Sequence, residues 1–432
     1  MDVQYRCCCG IDVHKESVTA NLLRKGVADK PDLNEVRSFS TMTQGLLKLS
    51  EWLERAGCTH VAMESTGVYW KPIFNILETD FEVILVNAKH IKNVPGRKTD
   101  VKDCQWIAQL LQHGLLQASF IPPLEIRQLR DLTRERKKLI QDRSSVVNRV
   151  QKVLEDANIK LSSVATDVTG KSGWDMLLAI VGGEEDPEKL AELARGRLRA
   201  KKEQLRSSLE GRLTDHHRFL LREYMRQIRG LDEMIDRFDA KIEEQMKPFF
   251  QYIPLLDTIP GVNQRAAENI VAEIGVNTAQ FGDARHLCSW AGICPGNNES
   301  AGKHRSGKTS DGDKWLKATL VEAAWAASRM KGSYFAAQYR RIAPRRGKKR
   351  ALVAMAHAML VIIFQIVKNK VAYRELGPDF FDKLNTDRLK KYLTKRLESL
   401  GYTVEISQRE PVGADGKLPE LADEKLPVPV QY

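Results

Sequence analysis

Apolar and polar positions in roughly the first quarter of the chain follow two periods, which predict short strands separated by helices. Apolar or alternating runs predict strands at residues 6–13, 17–26, 36–41, 60–65 and 81–88. Apolar residues that recur every three or four positions predict helices at 44–57, at 67–80 and from about residue 100. The predicted order is βββαβαβα, which is a mixed α/β domain.

Four acidic residues fall at the boundaries of these predicted elements, whose order is that of the ribonuclease H-like fold. They are Asp12, Glu64, Asp100 and Asp103. A carboxylate on an otherwise apolar strand is costly to bury without a partner, and a metal ion removes that cost. Together the four form an all-oxygen set that suits one or two magnesium ions. For Asp100 and Asp103 alone, an N-cap and a solvated charge are the alternative.

Three segments carry a family resemblance: GIDVHK, MESTGVYW and GRKTDVKDCQWIAQLL. They resemble the acidic motifs of the DEDD transposases of insertion sequences, which join a RuvC-like N-terminal domain to a C-terminal domain with a serine nucleophile. The resemblance implies catalytic, magnesium-binding roles for the four acids. Lys15 and Lys98 lie near these motifs and are candidates for phosphate contact, with solvated loop lysines as the alternative.

The middle of the chain reads as two long charged helices, at 124–159 and about 187–247, joined through a loop at 166–174. Between Arg127 and Lys152 the first helix carries nine Lys or Arg against three Asp or Glu. We therefore expect an antiparallel helical stalk that dimerises and holds nucleic acid, with a solvated amphipathic helix as the alternative. The candidate nucleic-acid contacts are Arg127, Arg130, Arg134, Arg136, Lys137 and Lys138.

The segment 255–275, with its IPGV turn, resembles a helix-hairpin-helix, whose turn amides contact phosphate, with a plain turn between two helices as the alternative. After it, residues 295–312 are rich in Gly, Ser, Asn and Lys, and no regular element is predicted there. Chemistry alone does not separate Ser300 from Ser306 or Ser310. The stretch AGICPGNNESAGKHRSGKTSDGDKWLK is similar to the family's C-terminal motif, which implies that Ser300 is the nucleophile, although Ala301 stands where relatives often have glycine. Cations that follow it are candidates for holding a phosphodiester: Lys303, Arg305 and Lys308.

A second basic cluster holds seven Lys or Arg among residues 340–350, which predicts a clamp on a nucleic-acid backbone, with a solvated loop as the alternative. Its members are Arg340, Arg341, Arg345, Arg346, Lys348, Lys349 and Arg350. The apolar run that follows, 351–367, contains His357 and Gln365 and is predicted to be a buried core helix rather than a membrane span.

Composition agrees with a folded protein that has a polyanionic partner. The 432 residues carry a net charge of +12, and 42% of them are hydrophobic. Seven cysteines without a CxxC pair suggest reduced, mostly buried thiols in a cytoplasmic protein, and no signal pattern or membrane association is expected.

The combined prediction is an α/β plus α protein with a RuvC-like domain at 1–122, a helical stalk at 123–250, a serine-bearing domain at 251–375 and a partly mobile extension at 376–432. We expect a DNA recombinase that works through a phosphoserine link with Mg2+, as a dimer or tetramer because two DNAs must be handled. The resemblance further implies a structured guide RNA encoded by the element. Two alternatives stay open: a RuvC-type hydrolytic junction endonuclease with a structural Ser300, and a non-catalytic nucleic-acid scaffold.

Overall fold

The computed structural model describes residues 2–26, 31–65, 67–87, 103–295, 298–300, 303–306, 308–384 and 386–407, with backbone only at 298–300 and 303–306. The chain divides into two compact units, Met1–Pro122 and Pro123–Tyr432. The finer division of the second unit into stalk, serine-bearing domain and extension stays a prediction.

The first unit is built on a five-stranded mixed sheet. Its strands are β1 (Cys7–Val13), β2 (Ser17–Arg24), β3 (Leu33–Ser40), β4 (His60–Glu64) and β5 (Glu82–Val86), and its helices are α1 (Thr43–Arg55), α2 (Trp70–Leu77) and α3 (Asp103–Gln112). The strand order is β3-β2-β1-β4-β5, with β1 antiparallel to β2 and parallel to β4. Over the described residues of this unit, the predicted order of strands and helices is confirmed.

Alternation along β1 divides its side chains between two cores. Cys9, Ile11 and Val13 pack with the apolar stripes of α1 and α2, whereas Cys8 packs with α3 on the other face. Gly10 also lies on the α3 face, where a Cβ would be 2.3 Å from both Ala108 N and Cys104 O. Only glycine allows the helix backbone to lie directly on the strand here.

The second unit begins with two long antiparallel helices, α4 (Leu124–Asp156) and α9 (Asp215–Met246). Their direction follows from the ion pairs Arg136 to Asp239 at 2.9 Å and Arg143 to Asp232 at 2.5 Å. The predicted antiparallel pair is therefore present, but the second helix is shorter than expected. Between the two lie α5 (Leu161–Val164), α6 (Lys171–Val181), α7 (Pro187–Glu192), a 3₁₀ turn (Gly196–Lys201) and α8 (Lys202–Leu209).

These short helices and the adjoining ends of α4 and α9 form a helical head, residues 146–231, with its own apolar core. The expected loop at 166–174 is wrong from Lys171 onward, because α6 begins there and buries Met176, Leu177 and Ile180. The sequence predicts a single helical run at residues 187–247, because charged positions with helical spacing continue across the loops that separate the observed helices.

The rest of the second unit is mainly helical. It contains α10 (Ile253–Asp257), α11 (Gln264–Ile274), α12 (Ala284–Trp290), the strands β6 (Asn298–Ser300) and β7 (Lys303–Ser306), then α13 (Lys314–Ala327), α14 (Tyr334–Arg346), α15 (Lys348–Asn369), α16 (Phe380–Leu384) and α17 (Thr386–Ser399). Two 3₁₀ helices, Lys247–Tyr252 and Thr278–Phe281, complete it.

Helix α15 is long and apolar enough to cross a membrane by length and composition, with a mean hydropathy of 2.0. It nevertheless lies in the core of the second unit, where Met355, Met359 and Ile363 are fully buried. The prediction of a core helix is confirmed.

The turn between α10 and α11 packs against α13. A Cβ on Gly261, whose φ is +85°, would lie 2.2 Å from the carbonyl oxygen of Ala323. The turn backbone therefore approaches α13 as closely as glycine permits. Phosphate binding by the amides of this turn stays a prediction.

Candidate active site and nucleic-acid interface

Asp12 and Glu64 lie side by side on neighbouring parallel strands. Ile11 pairs with Met63 across β1 and β4, so the next residue on each strand is one of the two acids. Side chains alternate along a strand, which places both carboxylates on the face covered by α3, with Gly10 and Ala62. Both acids are half-buried.

Helix α3 brings Asp103 toward the same end of the sheet. Gln112 O accepts a hydrogen bond from Gln4 N at 2.8 Å, Ala108 O accepts one from Cys8 Sγ at 3.8 Å, and Cys104 O lies beside Gly10. The helix therefore runs antiparallel to β1. Its first residue, Asp103, lies toward the end of β1 that carries Asp12.

Three of the four predicted acids thus have the donor chemistry of a magnesium site, since all offer carboxylate oxygens. No group of three or more His, Cys, Asp or Glu side chains in the described part of the chain is assembled closely enough to hold a metal ion. Asp100, the fourth predicted ligand, lies outside the described residues, as does Lys98.

His14 is a neighbour that sequence reasoning did not single out. Its Nε2 lies 3.2 Å from Asp12 Oδ2, and its side chain is 64% exposed. The signal was present in GIDVHK, because residues two apart in extended chain share a face. Lys15 is exposed in the turn between β1 and β2.

Ser300 is the last residue of β6, and its backbone pairs with Lys303 at the start of β7. The prediction of no regular element between residues 295 and 312 is therefore wrong, because a short hairpin lies there. Sequence patterning missed it because both strands are brief and polar, with no apolar alternation to signal them. The side chains of Ser300, Lys303 and Arg305 lie outside the described residues, whereas Lys308 is described and exposed.

The base of this serine hairpin, defined here as residues 292–312, is tightly built. A Cβ on Gly312 would lie 2.3 Å from Gly292 N, so the two ends of the hairpin meet backbone to backbone. Pro295 forms a bridge with Thr309, and Asp313 then caps α13 by accepting from Trp315 N and Leu316 N.

Three arginines of α4 form ion pairs with buried carboxylates of the second unit. Arg136, only 3% exposed, contacts Glu268 at 2.7 Å and Asp239 at 2.9 Å. Arg134 donates to both oxygens of Glu273, at 2.7 and 2.8 Å, and to Asp313 at 2.9 Å. Arg130 lies 3.1 Å from Glu273. These three guanidinium groups hold α4 against α9, α11 and α13, a structural role that sequence reasoning did not predict.

Burial dominates the electrostatics of this ion-pair cluster. Burial raises the pKa of Glu273 to about 7, with Asp313 adding to the effect and Arg134 opposing it. The same burial lowers the pKa of Arg130. Charges in such a site favour their neutral forms unless ion pairs and hydrogen bonds offset the lost hydration.

The other cations predicted on α4 are also engaged or partly covered. Lys137 lies 3.3 Å from Glu322, Lys138 lies 2.9 Å from Glu135, and Arg127 is half-buried. Part of the excess of positive charge along α4 is thus offset by carboxylates, several of which the fold brings from distant segments. Nucleic-acid contact by this set stays a prediction.

The second basic cluster has a different environment. Its seven cations all lie exposed around the junction of α14 and α15, and none pairs with a carboxylate among residues 308–384: Arg340, Arg341, Arg345, Arg346, Lys348, Lys349 and Arg350. We call this group the basic surface. Arg341 stacks over Phe381 at 4.9 Å, whereas Tyr334 and Phe335, which precede the cluster, are fully buried in the core.

Comparison with known proteins gives two family matches. Residues 9–159 match the IS110-type DEDD transposases, and residues 253–340 match the IS116/IS110/IS902 transposase family. The chain is a DEDD transposase of the IS110 family. The first match spans Asp12, Glu64 and Asp103 of this transposase, and the second spans its serine hairpin.

Two curated relatives agree with this assignment. The transposase is 25% identical to a probable family 20 transposase of Pseudomonas aeruginosa, over 73% of its own chain and 85% of the relative. It is 23% identical to the transposase for insertion sequence element IS1111A of Coxiella burnetii, over 74% of its own chain and 80% of the relative. The DEDD transposase is therefore an enzyme of the transposase class.

Proposed function

We propose that this transposase is a site-specific recombinase that cuts and rejoins DNA through a covalent phosphoserine formed by Ser300. The observation that carries the proposal is the side-by-side placement of Asp12 and Glu64, with α3 bringing Asp103 toward them. The strand order, antiparallel in β3-β2-β1 and parallel in β1-β4-β5, supports a ribonuclease H-like fold for this unit.

Asp12, Glu64 and Asp103, together with Asp100, would hold Mg2+. The bound ion would neutralise charge on the phosphate under attack and stabilise the departing oxygen. Within the chain, the strand pairing fixes the separation of Asp12 and Glu64. Gly10 lets the start of α3 approach their face of the sheet.

Ser300 would act as the nucleophile. Its Oγ forms a bond to phosphorus as the bond to the departing deoxyribose oxygen breaks, the serine proton leaves and the departing oxygen gains one. The resulting phosphoserine ester preserves the phosphodiester bond energy until a hydroxyl of a second DNA end displaces the serine. Handling two DNA ends requires more than one subunit, as a dimer or tetramer.

The basic surface would hold a nucleic-acid backbone, because its exposed cations have no carboxylate partner in the surrounding described structure. We exclude Arg130, Arg134 and Arg136 from this interface, since their charges are already satisfied within the second unit. Family resemblance supports a guide RNA that pairs with the DNA. The protein would then contact backbones while base pairing supplies the sequence specificity.

The experiment incubates full-length protein with Mg2+, donor DNA and co-purified RNA, and detects protein-DNA adducts on denaturing gels. The wild type should form an adduct that Ser300→Ala abolishes, whereas Ser306→Ala in the same hairpin should retain it. Asp12→Asn should abolish the adduct, and Asp32→Asn, which alters an exposed partner of Lys25, should not. An adduct on Ser300→Ala would overturn the serine assignment.

The same assay distinguishes the recombinase from a hydrolytic junction endonuclease. A junction endonuclease that uses water would cleave DNA with Ser300→Ala and would form no adduct with the wild type. The recombinase proposal requires cleavage to disappear with the serine hydroxyl.

A further inference from the structure

One ammonium group joins the two ends of the serine hairpin. Lys317 projects from the first turn of α13, and its Nζ donates to the carbonyl oxygen of Gly292 at 2.9 Å and to Thr309 Oγ1 at 2.5 Å. Gly292 lies before β6 and Thr309 lies after β7. A single side chain therefore fixes both ends of the hairpin to the same helix.

Both acceptors of Lys317 are neutral, and no carboxylate lies within ion-pair distance of it in the described parts of the second unit. A charged donor makes stronger hydrogen bonds than a neutral one. Lys317 is also partly buried, so its ammonium depends on these two oxygens to replace lost hydration. The arrangement is that of a clamp on the hairpin backbone.

A small rotation at the base of the hairpin displaces its tip by a larger distance, because the tip lies several residues beyond the clamp. The backbone pairing of the hairpin includes Pro295 with Thr309 near the base and Ser300 with Lys303 at the tip. Six residues separate Lys303 from Thr309, which allows the tip to lie up to about 20 Å from the base. A tilt of about 10° at the base would thus move the tip by up to about 3 Å, whereas productive phosphoryl transfer tolerates displacements of about 0.5 Å.

We propose that Lys317 is a positioning residue for the nucleophilic step, acting through the serine hairpin and not on the DNA itself. The inference rests on the proposed role of Ser300. It adds the feature that sets where the tip of the hairpin lies. Lys317 clamps the base, and the tip carries the nucleophile.

The kinetic test compares Lys317→Met, Lys317→Arg and Lys314→Met in the full-length protein. Lys314 is an exposed lysine in the same turn of α13 and controls for loss of one charge. Lys317→Met should lower the rate of adduct formation at saturating DNA by about tenfold or more, on the order expected for a misplaced nucleophile. The DNA concentration that gives half the maximal rate should stay within about twofold of wild type, because ground-state binding is untouched. Lys317→Arg should recover part of the rate.

Limited trypsin digestion gives a readout that needs no activity. Trypsin cuts after Lys or Arg, and the hairpin offers Lys303, Arg305 and Lys308. Release of the clamp should speed cleavage at these residues several-fold in Lys317→Met but not in Lys314→Met. Thr309→Val removes one acceptor while leaving α13 intact, and it should show a smaller acceleration if Lys317→Met does not fold.

The outcomes separate the two proposals. Adduct formation by Ser300→Ala would defeat the nucleophile assignment, while the digestion would still test the clamp. Wild-type rates and wild-type digestion of a folded Lys317→Met would overturn the clamp alone. A raised half-saturating DNA concentration with an unchanged maximal rate would make Lys317 a DNA ligand instead, and would also overturn it.

Discussion

The guanidinium of Arg134 contacts the carboxylate of Asp313 at 2.9 Å, although the two residues are 179 positions apart in the chain. Asp313 uses its other oxygen to cap α13. The carboxylate of Asp313 thus caps the N-terminus of the helix that carries Lys317 and also joins that helix to α4. The ion pair stabilises the position of α13, the helix to which Lys317 attaches the base of the serine hairpin.

Replacement of Asp313 by Ala should destabilise the protein by about 3 kcal/mol, because the cap is removed and the partly buried guanidinium of Arg134 has one partner fewer. Asp283 is the matched control, since it caps α12 but is 54% exposed. Asp283→Ala should cost less, because the cap that it removes is exposed to solvent and leaves no buried charge behind. Denaturant unfolding of both variants measures the difference. Equal losses would show that the ion pair with Arg134 adds nothing to the cap.

Gly10→Ala should displace α3 from the sheet, because the new methyl group would meet the helix backbone at Ala108 and Cys104. Overpacking against backbone, which cannot rotate away, should cost at least about 2 kcal/mol. Hydrogen exchange of the α3 amides should rise locally. Gly230→Ala in α9 is the control, since no atom outside the local helix backbone lies within 4 Å of the added Cβ, and it should stabilise by about 0.5 kcal/mol or more. Unchanged α3 exchange in Gly10→Ala would contradict the close packing.

Glu273 should make stability depend on pH. Its pKa is raised from 4.5 to about 7 by burial, so the folded protein retains a proton that the unfolded chain releases. This contribution is fully present below about pH 4.5 and is lost as the pH rises through about 7. The stability of wild type relative to Glu273→Gln should therefore fall between about pH 5 and 8, by about 3 kcal/mol at most.

Denaturant unfolding at several pH values tests this dependence. Glu322→Gln, an exposed partner of Lys137, provides the comparison for a surface Glu-to-Gln change. A relative stability that rises over the same pH range would show that Arg134 and Arg130 outweigh the burial of Glu273.

The basic surface should account for much of the salt dependence of nucleic-acid binding. Four substitutions, Arg345→Gln, Arg346→Gln, Lys348→Gln and Lys349→Gln, should weaken binding and reduce the slope of log affinity against log salt by about one for each phosphate that is no longer neutralised. A control with the same change in charge converts four exposed cations of the helical head to Gln: Lys171, Arg197, Arg199 and Lys201. Equal slopes in the two variants would make the effect one of net charge alone.

Much of the first unit could be predicted from its sequence because apolar alternation marks strands and helical spacing marks helices. The acids could be placed at strand ends for the same reason, and the pairing of β1 with β4 sets Asp12 beside Glu64. Their role as metal ligands and the role of Ser300 still rest on family resemblance and remain to be tested.

The second unit shows where sequence reasoning stops. A count of charges along α4 includes Arg134 and Arg136 but gives no information on their partners. Those partners, Glu273 and Glu268, come from more than 130 positions away in the chain. The strands β6 and β7 could not be predicted from the sequence, because both are short and polar and lack the alternation of apolar residues that marks a strand. Long-range partners and brief polar strands are set by tertiary structure.

The helical head lies where the chain reverses direction between α4 and α9, and it has a separate apolar core. The two family matches, 9–159 and 253–340, both stop short of most of it. At the opposite end of the helix pair, Arg136 fixes the register through Asp239 and Glu268, so we expect insertions or deletions in the head to leave that register unchanged. We therefore expect the head to differ in length among relatives more than the two matched segments on either side of it do.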